Sequence, residues 1–206
     1  IKYVCDLEIL KAELFKRKFN AENAVTDYNK CITDANVDIV IIAVYPSLHL
    51  TILEKCLEQK KHIICEKPIA ANKEDGERFV KAVKANTESK VLIGHILRHN
   101  KTYQKAAELI QSGTIGKPIV MRMVQNHHIM NSKRYLKLLN ETSPIIDCGV
   151  HYMDIMQWFT NEKITDISGI GARVDDNIPK DKYNYGLATV KLSGGSIGYY
   201  EAGWTN

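Results

Sequence analysis

Short, nearly continuous apolar runs alternate with amphipathic stretches through the first half of the chain. The predicted strands are residues 1–5, 24–26, 37–44, 62–65 and 91–93. The predicted helices between them are 7–19, 29–34, 48–59 capped by Ser47, and 73–85 capped by Asn72. This alternation is typical of parallel strands that helices cover on both faces. In such a sheet, ligands bind at the carboxyl ends of the strands.

The pattern changes after residue 98. Residues 100–111 are predicted as a helix ended by Gly113, 119–126 as a long strand and 146–159 as a further helix. Strands follow at 164–173, 185–192 and 196–202, the last two joined by a turn at Gly194-Gly195. We therefore predict two domains, 1–98 and 99–206. The predicted fold class is α/β: a partial Rossmann-type parallel sheet followed by an α+β domain with an open antiparallel sheet.

Both ends of the chain lack expected elements. A dinucleotide-binding sheet opens with a strand and a GxGxxG turn, and an acidic residue ends its next strand. Only that later strand is recognisable here, in Tyr3-Val4-Cys5-Asp6, and residues 199–206 stop on a strand pattern. We expect a fragment that begins after the glycine turn and is incomplete at its C-terminus.

Composition excludes several classes of protein. The 206 residues are 45% hydrophobic and 25% charged, as in an ordinary globular protein. The net charge of +4 comes from scattered residues, without the basic blocks that bind nucleic acid. No apolar run approaches the roughly 20 residues that span a bilayer. We therefore expect a cytoplasmic protein with neither a nucleic-acid nor a membrane partner.

Cysteine and histidine spacing does not predict a metal site. The five cysteines are odd in number and never spaced as CxxC, which favours reduced thiols. His127 and His128 are adjacent, and neighbouring side chains diverge on a strand. We expect no bound metal.

Three fragments together supply a lysine, an aspartate and a histidine: CEKP at 65–68, GH at 94–95 and DCGVH at 147–151. Oxidising an alcohol needs a base for the hydroxyl proton while hydride leaves the carbon, and histidine can serve near neutral pH. His151 is the candidate base. Asp147, four residues earlier, would share its helical face and orient the imidazole or contact substrate. The same spacing also suits a pair that only stabilises a helix.

Lys67 follows a strand and precedes Pro68, so the turn is conformationally restricted. Its ammonium group would polarise the substrate oxygen and favour alkoxide character. The alternative is a solvated lysine in a loop. The Lys67–Pro68 bond is a candidate for the cis form.

Asp6 bears on the choice of cofactor. A carboxylate at this strand end would hydrogen-bond a ribose 2′-hydroxyl and repel a 2′-phosphate, which favours NAD, with NADP as the alternative. An equally good interpretation makes Asp6 the cap of the helix that begins near Leu7.

Substrate contacts are less clearly encoded. Tyr183 and the residues after it carry aromatic faces and an amide that suit a polyol, although they also suit an ordinary strand beside a hairpin. Other polar candidates in the second domain are Arg122, Asn126, His127, Arg134 and Tyr135.

Taken together, the EKP motif at 66–68, Gly94-His95 with Arg98, and the DxxxHxxD motif at 147–154 resemble the glucose-fructose oxidoreductase and inositol dehydrogenase (Gfo/Idh/MocA) family. The resemblance spans essentially the whole chain. It implies NAD- or NADP-dependent chemistry on sugars, inositols and related polyols, and a homo-oligomer, dimer or tetramer. The absent glycine turn departs from the family pattern, and His95 stands where many members carry Asn.

The resemblance also implies roles for single residues. Lys67 would contact the nicotinamide and the reacting hydroxyl, and Asp147 and His151 would complete the site. Cofactor contacts would come from Asp6, Pro46, His49, Glu66, Lys67 and His95, and substrate contacts from Lys67, Asn126, Tyr183 and His151.

We therefore expect an NAD(P)-dependent oxidoreductase that transfers hydride between a nicotinamide and a secondary hydroxyl or keto group of a sugar, inositol or related polyol. A catalytically silent ligand-binding or regulatory protein of the same fold is the alternative, favoured by the missing glycine turn. An oligomer-forming scaffold is a third interpretation. The lysine, aspartate and histidine favour the enzyme, because neither other role needs them.

Overall fold

A computed structural model describes residues 1–128 and 132–205 of the chain, without the side chains of 132–134. The chain divides into two compact units, Ile1–Gly94 and His95–Asn206. The division lies shortly before residue 98, where the sequence pattern changes. Within the described residues, no helix combines the length and the apolar character needed to cross a membrane.

The first unit is an alternation of strands and helices, as predicted. Its strands pair in parallel, β1 with β2 in one sheet and β3–β4–β5 in another. The elements are β1 (Tyr3–Cys5), α1 (Ile9–Phe19), β2 (Asn23–Val25), α2 (Tyr28–Thr33), β3 (Ile39–Ile42), α3 (His49–Glu58), β4 (His62–Cys65), α4 (Lys73–Ala85) and β5 (Val91–Ile93).

The core of the first unit lies where α3 and α4 cover the three-stranded sheet. Ile42, Leu53 and Ile63 are almost fully buried there. On the opposite face of β3, Ile39 and Ile41 are 55% and 68% exposed. The described residues therefore bury β3 less completely on this face than the apolar run predicts.

Two predicted helix caps have different outcomes. The Asn72 side chain accepts the Asp75 N–H and begins α4, as predicted. Ser47 does not cap α3, because Pro46–Leu48 form a 3₁₀ turn that shifts the start of the helix to His49. Proline favours such a turn, since its fixed φ suits a first helical position.

The second unit packs helices on one face of a four-stranded sheet. The strand order is β6-β9-β8-β7, in which β6 and β9 are parallel and the other pairs antiparallel. The elements are α5 (Lys101–Gln111), β6 (Val120–His127), α6 (Ser132–Glu141), α7 (Pro144–Asp147), α8 (Gly149–Thr160), β7 (Ile164–Ala172), β8 (Tyr185–Leu192) and β9 (Ile197–Trp204). The α/β class with a second sheet domain is confirmed, but this sheet is mixed and α6 was not predicted.

The two faces of this sheet differ. The inner face buries Val190, Tyr200 and Ala202 against Met156 of α8. The outer face carries the alternate residues of each strand, such as Val124 and Glu201, which the register places opposite one another. Because side chains alternate along a strand, the face of each β6 residue follows from its position.

Candidate active site

The EKP motif forms the turn that directly follows β4. The Glu66 N–H continues the parallel ladder by donating to the Ile42 carbonyl at 2.9 Å. The Lys67–Pro68 peptide bond is cis, as predicted. Lys67 is half-buried and Pro68 is buried. The backbone ladder thus brings the lysine to the carboxyl edge of the sheet.

Gly94 lies beside this turn and has little room for a side chain. Its N–H donates to the Cys65 carbonyl at 2.8 Å, at the end of β5. A Cβ atom added to Gly94 would lie 3.1 Å from Glu66 Oε2, tighter than ordinary contact. Glycine therefore lets the Glu66 carboxylate rest directly on the end of the neighbouring strand.

His49 and Pro46, expected to contact the cofactor, are both buried in the segment that follows β3. His49 is 0% exposed, and its Nε2 lies 3.0 Å from the Val44 carbonyl oxygen. The ring also meets the backbone of Pro68, and burial lowers the pKa of His49. The buried imidazole thus connects the loop after β3 to the EKP turn, and its expected contact with the cofactor stays a prediction.

Asp6 lies at the end of β1 and serves the start of α1. Its Oδ1 accepts the Glu8 N–H at 2.8 Å, while Glu8 itself occupies the N-cap position. A carboxylate has further acceptor sites, so this bond leaves Oδ2 able to accept from a ribose hydroxyl. Both interpretations of Asp6 are compatible with this geometry.

In the second unit, Asp147 and His151 lie at the junction of α7 and α8. The predicted single helix over 146–159 is wrong, because it breaks at Cys148. The His151 N–H bonds to the Cys148 carbonyl at 3.2 Å, one residue short of the α-helical partner. Cys148 itself keeps right-handed helical dihedrals, φ −90° and ψ −35°, so the junction is a local irregularity between Asp147 and His151, and their shared face stays a prediction.

Tyr200 shapes this junction from the sheet below. A Cβ atom added to Gly149 would lie 3.0 Å from Tyr200 Cε1. The Tyr200 ring is fully buried and stacks on Tyr152 with centroids 5.0 Å apart. Burial raises the pKa of Tyr200, which stays a neutral phenol. Glycine at this position lets the first turn of α8 rest directly on the aromatic ring.

His95 is the predicted site residue that the second unit brings to His151. The two rings meet edge-to-face, with centroids 6.2 Å apart and planes at 80°. His95 Nδ1 is shielded from solvent and has no hydrogen-bond partner among the described residues. Two imidazoles, from the GH and DCGVH fragments that the sequence pattern groups together, thus lie in one cluster.

Tyr183 joins the other end of α7. Its hydroxyl donates to Ser143 Oγ at 2.9 Å, and that oxygen in turn accepts the Ile146 N–H at the start of the helix. Tyr183 is therefore connected to the helix that ends in Asp147. This anchoring role is close to the structural alternative for Tyr183, while its ring remains 36% exposed.

Asn126 is not brought together with His151. It lies on the outer face of the sheet, next to Glu201 and Tyr185. Its expected role as a substrate contact stays a prediction. Gln125 and His127 occupy the inner face instead, with their side-chain nitrogens 2.8 Å apart.

The sequence contained a signal for which face of the sheet each residue of β6 occupies. Met121 is a core residue, and residues two positions apart on a strand share a face. Arg122 follows the outer-face alternation, Tyr135 is buried with its hydroxyl on the Trp204 carbonyl, and the Arg134 side chain lies outside the described residues. Among the side chains described, no group of three His, Cys, Asp or Glu is arranged to hold a metal.

Two family models match consecutive parts of the chain. Residues 1–95 match the oxidoreductase family with an NAD-binding Rossmann fold, and residues 103–206 match the GFO/IDH/MocA C-terminal domain. The chain belongs to the GFO/IDH/MocA family.

Relatives of this family member include two curated inositol dehydrogenases. The myo-inositol 2-dehydrogenase of Thermotoga maritima is 26% identical over 89% of the chain and 54% of its own length. The inositol 2-dehydrogenase of Salmonella paratyphi B is 31% identical over 77% of the chain and 46% of its own length. The chain thus spans about half the length of these relatives.

A solved structure shares the fold. The crystal structure of myo-inositol 2-dehydrogenase from Lactobacillus plantarum has a TM-score of 0.89 and 22% sequence identity. The match covers 100% of this chain and 62% of that one.

Proposed function

We propose that the protein carrying this chain is an NAD-dependent oxidoreductase that transfers hydride between a nicotinamide and a secondary hydroxyl or keto group of an inositol, a sugar or a related polyol. The junction of Asp147 and His151, in a chain that both family models match, carries the proposal. The names of the curated relatives support inositol as the first substrate to assay.

The donor set of the first unit fits a dinucleotide. Asp6 offers a carboxylate oxygen at the end of β1, and Gly94 lets the Glu66 carboxylate lie at the carboxyl edge of β5. When bound, NAD would accept the hydride of the carbinol carbon. The Asp6 carboxylate would accept a bond from a ribose 2′-hydroxyl and repel a 2′-phosphate, so NAD is favoured over NADP.

The proposed roles follow from the chemistry of each side chain. His151 takes the hydroxyl proton, since a neutral imidazole is a competent base near neutral pH. Asp147 orients that imidazole or contacts the substrate. Lys67 polarises the substrate oxygen and stabilises the negative charge that grows on it.

The principal test replaces Lys67 by Met, which keeps the length of the side chain and removes its charge. We expect kcat for NAD reduction with myo-inositol to fall by about 100-fold or more, because the lost cation acts on the reacting oxygen. Lys73→Met is the matched control, since Lys73 is exposed and pairs with Glu77 in the same helix. Near-normal turnover of the Lys67→Met protein would refute the assignment.

Two further variants separate binding from chemistry. His151→Ala should lower kcat far more than NAD affinity, whereas equal losses would indicate a structural role. Asp6→Ala should weaken NAD binding, because the carboxylate oxygen offered to the ribose hydroxyl is lost. A loss of stability with unchanged affinity would instead support the helix-start role of Asp6.

We also propose that the protein is a homo-oligomer that associates through the outer face of the second sheet. Val120, Val124 and Ile197 are about half-exposed on that face, and contiguous exposed apolar surface is typical of a contact region. Light scattering on the intact protein should give a mass above that of one chain, and Val124→Lys should lower it. A monomeric wild-type protein would contradict the proposal.

A further inference from the structure

Asp154 is the last polar residue of the DxxxHxxD motif, and none of the proposed roles involves it. Its two carboxylate oxygens accept bonds from Arg98, from Nε at 2.7 Å and from a terminal nitrogen at 2.8 Å. This two-point geometry is the strongest form of an arginine–carboxylate pair. The Asp154 side chain is 14% exposed and that of Arg98 is 45% exposed, so the carboxylate is the better shielded partner of the pair.

Further contacts fix the position of Arg98. Its guanidinium lies over the ring of Trp158 on α8, 5.5 Å from the centroid. Its carbonyl accepts the Gln104 side-chain amide of α5 at 2.9 Å. Arg98 also closes the 3₁₀ turn Ile96–His99, because its N–H donates to the His95 carbonyl at 3.1 Å. The Arg98–Asp154 ion pair, here called the clamp, therefore attaches this turn to α8, and the Gln104 bond attaches it to α5.

The clamp joins the two elements that carry the histidine pair. Asp154 lies three residues after His151 on α8, and residues at this spacing share a helix face. His95 immediately precedes the turn that contains Arg98. The edge-to-face contact of the two rings therefore lies next to the Arg98–Asp154 bonds in both elements.

We propose that Arg98 and Asp154 are positioning residues, which hold the His95 ring against His151 and so fix the orientation of the candidate base. This inference rests on the proposed function, because it gives the imidazole orientation a catalytic purpose. The Arg98–Asp154 bonds keep the 3₁₀ turn that follows His95 next to α8. The His95 ring therefore stays in contact with the His151 ring. A base displaced by a fraction of an ångström transfers protons less well, since catalysis depends on near-attack geometry.

The experiment compares Asp154→Asn with a matched ion-pair variant in the intact protein. Asp154→Asn keeps the size of the side chain but loses its charge and its two-point geometry. Glu108→Gln breaks the exposed Lys105–Glu108 pair of α5, which does not contact either histidine. Steady-state kinetics with NAD and myo-inositol is combined with NMR of the imidazole nitrogens, assigned with His95→Gln and His151→Gln.

We expect Asp154→Asn to lower kcat by about 10- to 100-fold at nearly unchanged KM for NAD, and to shift the ring signals of His151. Glu108→Gln should alter neither. Arg98→Lys keeps the charge without the planar fork and should give a smaller loss of the same kind, which serves if Asp154→Asn does not fold.

Two results would overturn the inference. One is normal kcat in a folded Asp154→Asn or Arg98→Lys protein; the other is a loss of thermal stability alone, with unchanged His151 signals. A wild-type protein that turns over no polyol would instead refute the proposed function, and the NMR comparison would still decide whether the clamp sets the ring.

Discussion

The two units position their candidate chemistry by different means. In the first, the backbone does so: the parallel ladder of β3, β4 and β5 ends in hydrogen bonds from Glu66 and Gly94. In the second, side chains do so: Tyr200 supports the first turn of α8, and Arg98 clamps the turn after His95. A backbone ladder tolerates changes of side chain, whereas an aromatic support and a clamp depend on single residues.

The largest expected effect tests this dependence on single residues. Tyr200→Ala removes the fully buried ring under Gly149 and should destabilise the second unit by about 3–5 kcal/mol. Fluorescence of Trp158 and Trp204 reports on this unit during denaturant unfolding, since both tryptophans of the chain lie in it.

Phe79→Ala is the counterpart in the first unit, where it should cost a similar amount. Amide exchange in β4 should increase in this variant, while fluorescence-detected unfolding of the second unit should change little. The comparison fails if Tyr200→Ala increases exchange in β4 as much as Phe79→Ala does.

Replacing a helical glycine by alanine should change the free energy of unfolding by a smaller amount, and the change should have opposite signs in the two units. Gly149→Ala forces a methyl group against Tyr200 and should cost about 1–3 kcal/mol, because overpacked cores relax poorly. Gly76→Ala, inside α4, meets nothing closer than 3.9 Å and should stabilise by up to about 1 kcal/mol through helix propensity. Thermal melts of both variants check the signs, and two shifts in the same direction would contradict the packing argument.

The smallest effects concern stability that is lost in acid, in a different pH range for each unit. Burial lowers the pKa of His49, so the unfolded state takes up a proton first as the pH falls below about 6.5. Stability of the first unit is then lost with falling pH, and His49→Gln should remove this part of the dependence. Amide exchange of β4 at pH 7 and pH 5.5, two values that bracket about 6.5, should show the difference.

In the second unit, the hydrogen bond from Lys117 lowers the pKa of Glu162, which also accepts the Gly194 N–H. Its contribution is present above the unfolded value of about 4.3 and is lost as the pH falls further. The stability difference between wild type and Glu162→Gln, followed by tryptophan fluorescence, should therefore shrink below that pH. A stability difference between the two proteins that is constant with pH would show that ionisation of the Glu162 carboxylate does not contribute to stability.

The first unit was the easier one to predict from sequence. Its apolar runs gave the order of all strands and helices, because each strand there pairs with a close neighbour in the chain. The positions of Glu66 and Lys67 followed from the ends of these runs. The error at Ser47 arose locally, since a proline turn replaced the expected cap.

Prediction of the second unit depended on contacts between residues that are far apart in the sequence. The break at Cys148 occurs where Gly149 meets Tyr200, a contact that no short window of sequence contains. The parallel pairing of β6 with β9 is hidden for the same reason. The face occupied by Asn126 could have been inferred from Met121, because strand alternation is local.

The position of β9 in its sheet also affects how the chain folds during synthesis. This strand, Ile197–Trp204, is hydrogen-bonded on both sides, to β6 and to β8. A chain emerging from the ribosome can pair the strands of the first unit early, since domains generally fold as units during synthesis. Among the described strands β6 pairs with β9 alone, so in the interval between the synthesis of β6 and that of β9 neither this pairing nor the packing of Gly149 on Tyr200 has formed. During that interval, the nascent second unit exposes the apolar residues of β6 and α8 to chaperones and to neighbouring chains.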